Sequence, residues 1–189
     1  MTSPVGAPAK LTVDDYQRGP LATHSFENKL PVKIVRDMRL LAIAIWLGAA
    51  VFFSFAVAPG VFAVLPTREL AGAVVSRTLG IVNAGGFVVS LLLLATSVPF
   101  KSIVTRRAFR AEIISLALVA LSTFVGKWMI AARMQSLRDE MGRPIDQVAQ
   151  YDPLRIAFNS LHGYSVAALT VGMLAAIASL LLIVRRTVR

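Results

Sequence analysis

Four long runs of apolar residues, separated by short polar segments, dominate the sequence. The runs lie at about 40–62, 79–100, 111–132 and 158–184. A helix needs about 20 apolar residues to cross a hydrocarbon core of about 30 Å, and each run reaches that length. The pattern therefore predicts an all-α, polytopic membrane protein with four transmembrane helices in an antiparallel bundle.

The first run contains two prolines that bear on its shape. Between Arg39 and Arg68 there are 28 residues without a charge, more than one span requires. Pro59 interrupts this stretch near its far end and Pro66 closes it. Because proline removes a backbone donor and crowds the preceding turn, we expect a spanning helix to about Ala58, followed by a kink.

The third and fourth runs carry signals for helix ends that lie beyond their apolar cores. Nothing breaks the third helix before Gly142, which occupies the position of a C-terminal glycine cap. Asp152 is a good N-cap for the fourth helix, and Pro153 suits its first position. We therefore expect both helices to extend outside the bilayer and to meet there in a hairpin.

The composition supports a membrane protein rather than a soluble domain. Hydrophobic residues make up 56% of the chain and charged residues 16%, whereas soluble domains average about 25% charged residues. The net charge of +10 would suggest nucleic acid in a soluble protein, but basic loops also orient membrane proteins and contact anionic lipid. We predict membrane lipids as partners, with anionic lipid at the cytoplasmic face, and no nucleic acid.

Lysine and arginine are distributed unequally across the predicted membrane. Thirteen lie in the two terminal segments and the second loop, and six lie in the first and third loops. The positive-inside rule therefore places both termini in the cytoplasm. We expect a multi-pass protein of a bacterial inner (plasma) membrane, with a polar cytoplasmic tail over residues 1–38 and a four-helix transmembrane domain over residues 39–189.

The predicted hairpin brings basic residues together where it enters the membrane. Four residues are candidates for a pocket or an interface there: His162, Arg133, Lys127 and Arg155. In one interpretation, Arg133, Arg138 and Arg155 form a solvated ion-pair network with Asp139 and Glu140. In the other, Lys127, Arg133 and His162 line an outward pocket for an anionic head group or substrate. Lys127 can also be explained as a side chain that snorkels to the interface.

Patterns typical of catalysis or metal binding are missing from the sequence. The chain has no cysteine, and its two histidines, His24 and His162, lie on opposite sides of the membrane in the predicted topology. Haem or copper binding through His162 and a methionine stays a weaker alternative. There is no glycine-rich phosphate loop, serine-nucleophile motif or carboxylate pair. We predict no enzymatic activity, no catalytic or metal-binding residues and no cofactor.

Several short patterns, taken in their order and spacing, resemble one family. They include Trp46-Leu47-Gly48, Ala58-Pro59-Gly60-Val61-Phe62, Leu65-Pro66, Asp152-Pro153-Leu154-Arg155 and Leu161-His162-Gly163-Tyr164-Ser165. From about Leu40 to Val184 the chain resembles domain-of-unknown-function family 4149, whose animal members are the transmembrane protein 205-like proteins. The resemblance implies a four-helix membrane domain of unsettled biochemical role.

The resemblance also marks seven positions as family-motif residues: Trp46, Pro59, Phe62, Pro66, Asp152, Pro153 and Phe158. It leaves two explanations open for them, a functional role or a role in shaping and packing the helices. We favour packing for Pro59 and the phenylalanines. Animal relatives are associated with resistance to platinum drugs, but a chain without cysteine cannot inherit thiol-based handling of soft metals.

Two hypotheses of function follow for a protein whose biochemical activity the sequence does not assign. The first is small-molecule or toxicant transport or tolerance through the outward-facing pocket. The second is a structural or accessory subunit of a larger membrane complex, which would dock through the hairpin and through the small residues Ala168, Gly172 and Ala176. Because four helices leave little room for an aqueous path, we expect a homo-oligomer or a larger complex.

Overall fold

The computed structural model describes residues 29–97 and 105–185. The chain divides into two units, Met1–Val35 and Arg36–Arg189. Of the first unit, only the helical residues 29–35 are described. Most of the predicted polar tail therefore lies outside the described residues, as do His24, Pro99 and Lys101.

The described residues are almost entirely helical, and the described ranges contain no strand. The α-helices are α1 (Lys29–Phe52), α2 (Ala58–Val64), α3 (Arg68–Ala95), α4 (Arg106–Phe124), α5 (Ala131–Met141) and α6 (Pro153–Arg185). Two π-helical turns, Phe53–Val57 and Val125–Ile130, join α1 to α2 and α4 to α5, and a 3₁₀ turn at Ile145–Gln147 lies between α5 and α6.

Four continuous helical stretches are long and apolar enough to cross a membrane. They are Lys33–Val64, Arg68–Ala95, Arg106–Met141 and Pro153–Arg185. Large apolar side chains such as Phe55, Ile81 and Leu174 stay exposed on them, as expected for helices that face hydrocarbon rather than water. The prediction of an all-α protein with four candidate membrane-spanning helices is confirmed.

The first of these stretches continues past Ala58, where the sequence had predicted its end. Pro59 lacks an N–H and its ring crowds the carbonyl one turn earlier. The π turn accommodates this, because the Ala58 N–H donates to the Phe53 carbonyl five residues back rather than four. The proline therefore reshapes this helix, which runs on to Val64.

Both predicted end signals between the third and fourth stretches are confirmed. Gly142 adopts the left-handed conformation, with φ of 61°, and its N–H donates to the Arg138 carbonyl at 3.2 Å. Asp152 caps α6, since its Oδ1 accepts a hydrogen bond of 2.8 Å from the Leu154 N–H. Pro153 is the first residue of α6.

Trp46 lies at the centre of the core of the second unit. Its side chain is 5% exposed, and its Nε1 donates to the Val82 carbonyl of α3 at 2.9 Å. A Cβ atom at Gly86 would lie 2.6 Å from the indole ring. Glycine at this position therefore lets α1 approach α3 closely.

The small residues of α6 face the interior of the second unit. Gly172 and Ala176 are buried, and Ala168 is half-buried. A Cβ atom at Gly172 would lie 2.7 Å from Ser122 Oγ of α4. These small residues serve close packing within the chain, which accounts for the pattern that had suggested an external interface.

Candidate functional site

A cavity of about 770 Å³ lies between α3, α5 and α6. Its lining runs along α3 from Arg68 to Asn83 and along α6 from Arg155 to Ser165. At about 1.5 Å per residue, these 15 and 10 residue steps correspond to about 22 Å and about 15 Å. The cavity therefore reaches from the charged segments at the helix ends into the apolar part of the helices.

Charged side chains are frequent in the lining. They are Arg68, Arg138, Arg143 and Arg155, with the carboxylates Glu69, Asp139 and Asp146. All three carboxylates are exposed, whereas Arg138 and Arg155 are half-buried. Within the described ranges, none of these seven residues forms an ion pair closer than 4.0 Å. The two half-buried arginines thus have no carboxylate within ion-pair distance, and Glu69 attracts Arg138 from farther away.

Arg138 is held across the cavity by contacts with two other helices. Its Nη2 donates to Ser76 Oγ of α3 at 3.2 Å. Its guanidinium carbon lies 5.1 Å from the ring centroid of Phe158 of α6, which is within the range of cation–π attraction. A guanidinium has five N–H donors, so most of its hydrogen-bonding capacity stays available to a ligand.

Two buried polar side chains, Asn83 and Ser165, line the deep part of the cavity. They are 3% and 7% exposed, and neither side chain hydrogen bonds to another described residue. By contrast, the hydroxyls of Ser160 and Thr170 on α6 donate to backbone carbonyls one turn back. Both side chains line the cavity, so their polar groups can hydrogen bond to water or to a ligand that enters it.

The π turn at Val125–Ile130 makes room for the Asn83 amide. Gly126 in this turn also lines the cavity, and a Cβ atom there would lie 2.8 Å from Asn83 Nδ2. π-helical turns often occur at functional sites. Here the turn places backbone without a side chain against the buried amide.

The structure places two of the four predicted pocket residues in the cavity lining. His162 lines the cavity and is exposed. Arg155 also lines it, and its Nη1 donates to the Val148 carbonyl at 2.5 Å. These two residues are seven positions apart and lie about two turns from each other on the same face of α6.

The other two predicted pocket residues make different contacts. Arg133 pairs with Glu140 on its own helix at 3.0 Å and is not among the lining residues. Lys127 Nζ lies 5.7 Å from the ring centroid of Trp128 and 3.7 Å from the position of a Cβ atom at Gly80. Gly80 lines the cavity, so Lys127 lies beside it without being part of the lining.

Only one pair of the alternative ion-pair network is present among the described residues, that between Arg133 and Glu140. Asp139 accepts a hydrogen bond of 3.0 Å from Gln135 Nε2 instead. Arg138 bonds to Ser76 in place of a carboxylate. The charges of the hairpin therefore divide between its outer surface and the cavity.

The family-motif residues fall into three groups in the structure. Trp46 belongs to the core; Phe62 and Phe158 line the cavity; and Pro59, Pro66, Asp152 and Pro153 lie at a helix start, a helix end or a link between helices. Packing and helix shaping account for Trp46 and the prolines. The two phenylalanines instead supply apolar surface to the cavity lining, and Phe158 contacts Arg138 there.

Sequence reasoning missed Arg138, Asn83 and Ser165 as members of the site. For Asn83 a signal exists, because a polar side chain inside a predicted span is costly in lipid and often functional. Arg138 and Ser165 carry no such local signal. Their importance follows from contacts between helices.

A second polar cluster joins α1, the end of α3 and the start of α4. Arg39 and Glu112 form an ion pair at 2.6 Å, with side chains 4% and 1% exposed. Arg39 also donates to Thr96 Oγ1 at 2.9 Å and to Ser97 Oγ at 2.8 Å. None of these four residues lines the cavity.

The fold and the cavity define a helical, multi-pass type of membrane protein with a polar internal site. A family model described as "Domain of unknown function (DUF4149)" matches residues 41–143, which is just over half of the chain. The chain belongs to this family. The match includes Asn83 and Arg138 and ends before α6, which carries His162 and Ser165. No curated protein and no solved structure matches the chain.

Proposed function

We propose that this chain is an integral membrane protein that admits a small solute to the cavity between α3, α5 and α6, in the service of small-molecule or toxicant transport or tolerance. The observation that carries the proposal is the polar lining at Asn83 and Ser165, two largely buried side chains that hydrogen bond to no other described residue. Without a polar ligand or water, those groups would be costly deep inside apolar helices.

In this proposal the helices form an antiparallel bundle with both termini in the cytoplasm. The Arg39 cluster supports it, because it joins the early part of α1 to the end of α3 and the start of α4. The cavity gathers residues from the other ends of these elements. Under the positive-inside rule, the excess of basic residues beside the termini favours a cavity mouth on the outer side, and in this proposal α5 and the start of α6 project beyond the hydrocarbon.

The absence of cysteine from the chain allows a direct test by single-cysteine labelling. In intact cells, a membrane-impermeant maleimide should label Arg143→Cys, at the cavity mouth, and leave Arg107→Cys, after the second loop, unlabelled. Labelling of Arg107→Cys alone would show that the chain has the opposite orientation in the membrane. Labelling of both positions would contradict the topology.

Solute access to the cavity is tested by a small charged methanethiosulfonate reagent. Ser165→Cys should react from the side of the mouth, since Ser165 lines the cavity. Tyr164→Cys is the matched control, because Tyr164 is exposed but does not line the cavity, so lipid covers it in the membrane. An unreactive Ser165→Cys in a chain whose Arg143→Cys reacts would show that the cavity is closed to solutes.

The partner predictions stay open to a separate measurement. We expect a homo-oligomer, and the alternative is an accessory subunit of a larger membrane complex. Purification from the native host in mild detergent, with the mass of the particle determined, separates the two. An absorbance spectrum of the same sample tests haem or copper binding at His162.

A further inference from the structure

We infer that the solute of this cavity is a small organic anion whose charge binds Arg138 and whose distal polar group binds Asn83 and Ser165. The inference rests on the proposed function and names the ligand class for the same cavity. Three features of the lining carry it: the position of its charges, the fixed geometry of one guanidinium, and the buried polar groups.

The lining has two half-buried arginines, and its other charged side chains, Arg68, Arg143 and the carboxylates, are exposed. Arg138 and Arg155 are half-buried, whereas Glu69, Asp139 and Asp146 are exposed. Water and salt screen exposed charges, and attraction is stronger where the surroundings are less polar. A solute inside the cavity therefore experiences the arginines more strongly than the carboxylates, which favours an anion.

The Arg138 guanidinium is oriented before any ligand arrives. Ser76 on α3 binds one of its nitrogens, and the Phe158 ring on α6 lies against its face. A planar fork held in place loses little conformational freedom when it binds a carboxylate or a phosphate, and it can offer two parallel N–H donors. Arg155 is less available, because its Nη1 already donates to the Val148 carbonyl.

The deep lining determines the rest of the ligand. Asn83 offers both a donor and an acceptor, and Ser165 a hydroxyl, so a purely hydrocarbon tail would leave both groups unsatisfied. Between the deep end and the mouth, the lining is apolar at Val75, Leu79 and Met134. A volume of about 770 Å³ lies in the range typical of small-molecule sites. The ligand is thus an organic acid with an apolar middle and a second polar group.

A series of six-carbon probes tests this assignment on the full chain in the neutral detergent dodecyl maltoside. Thermal shift and binding titration should show stabilisation by hexanoate and hexyl phosphate, and tighter binding of 6-hydroxyhexanoate than of hexanoate. Hexylammonium and hexan-1-ol should bind weakly. Stabilisation by hexylammonium or hexan-1-ol equal to that by hexanoate would overturn the assignment, even where labelling shows a cavity open to solutes.

Variants at two arginines of α5 assign the charge to one side chain. Arg138→Gln should weaken hexanoate binding about tenfold to a hundredfold, as expected for loss of a charge-assisted hydrogen-bonded pair. Arg133→Gln, the matched control, should leave it unchanged, because Arg133 does not line the cavity. Undiminished binding by Arg138→Gln would overturn the role of Arg138.

Two further measurements keep the test decisive if Arg138→Gln does not fold. Arg138→Lys keeps the charge but loses the fork, and should bind hexanoate with intermediate affinity. With Arg138 intact, 6-hydroxyhexanoate should protect Asn159→Cys, in the cavity lining, from a charged methanethiosulfonate reagent. Absence of protection at concentrations that saturate hexanoate binding would place the anion elsewhere.

The anionic group can belong to a soluble solute or to a lipid head group. Titration with phosphatidylglycerol in phosphatidylcholine vesicles, against hexyl phosphate in the same vesicles, separates the two sources. Competition by phosphatidylglycerol assigns the site to a lipid phosphate, and competition by the soluble acid alone assigns it to a free solute. Both outcomes support recognition of an anion by Arg138. If neither ligand competes, the proposal is contradicted.

Discussion

Two buried polar regions of the described helices, the Arg39 cluster and the deep cavity lining, differ in how their groups are satisfied. In the Arg39 cluster, a guanidinium and a carboxylate bind each other at 2.6 Å, and the guanidinium also donates to two hydroxyls just after the end of α3. In the cavity, Asn83 and Ser165 are as deeply buried but bind no other described residue. The first region is an ion pair that stabilises the packing of the helices. The second is a cavity lining whose polar groups are left to bind a ligand or water.

This difference predicts opposite responses to mutation. A buried charge is tolerable only while its partner remains, so removal of one member of an ion pair costs about 3–5 kcal/mol. A polar side chain without a partner contributes little to stability, and its replacement by an apolar group of similar shape can even be favourable. Measurements of stability should therefore distinguish the Arg39 cluster from the cavity lining.

The largest effect is expected at the buried ion pair. Arg39→Gln should lower the free energy of unfolding by about 3–5 kcal/mol, because the Glu112 carboxylate loses its charged partner while it stays buried. Thermal or chemical unfolding in detergent measures the change. Arg36→Gln is the control, because its partner Asp37 is exposed, and it should cost less than about 1 kcal/mol. Equal effects of the two substitutions would contradict a stabilising role for the ion pair between Arg39 and Glu112.

Two glycine substitutions should separate the filled core from the open cavity. Gly86→Ala places a Cβ atom 2.6 Å from the Trp46 indole, and we expect a cost of about 1–3 kcal/mol from overpacking. Gly126→Ala meets Asn83 Nδ2 at 2.8 Å, but this amide can turn into the cavity, so the cost should be smaller.

The glycine pair also has a functional readout and a control. Gly126→Ala should weaken binding of 6-hydroxyhexanoate while Gly86→Ala, if folded, should not. Gly163→Ala serves as control, because nothing lies within 4 Å of its Cβ position. A larger loss of stability in Gly126→Ala than in Gly86→Ala would show that the cavity is as tightly packed as the core.

Apolar substitutions in the cavity should act in the opposite direction to those in the ion pair. Asn83→Leu and Ser165→Ala each remove a buried polar group without a partner, and should be neutral or stabilise the protein by up to about 1 kcal/mol. Unfolding in the absence of added ligand is the relevant measurement. Destabilisation by more than about 2 kcal/mol would mean that these side chains have structural partners.

The smallest effect is expected at the exposed ion pair of α5. Arg133→Gln should change stability by less than about 0.5 kcal/mol, since Arg133 and Glu140 are both exposed and water screens their attraction. The difference from the parent chain should shrink further as salt is raised. A salt-independent loss would indicate a buried role for Arg133.

The sequence did not predict which arginine of α5 faces the cavity. Of the two interpretations of the hairpin, the pocket included Arg133 and the ion-pair network included both Arg133 and Arg138. In the structure Arg133 pairs with Glu140, whereas Arg138 lines the cavity. Five residues correspond to a rotation of about 140° around an α-helix, so the two side chains leave the helix on different sides. Choosing between them requires knowing which side of α5 faces α3 and α6.

The sequence by itself determined the features that depend on neighbouring residues and on length. Four apolar runs set the number of candidate spans, because a bilayer demands long uncharged helices. Gly142 and Asp152 set helix ends, because a left-handed cap and an N-cap act within a few residues. The two helix ends are confirmed at these residues, and the four candidate spans are confirmed in number.

Tertiary structure alone decided how the helices face each other. Lipid is as apolar as a helix interface, so a membrane helix is hydrophobic all round and its sequence does not mark the inner side. The pairing of Arg39 with Glu112, 73 residues apart, and the meeting of Asn83, Arg138 and Ser165 in one cavity depend on those rotations. Which polar residues join the Arg39 cluster and which line the cavity is therefore decided by the packing of the helices.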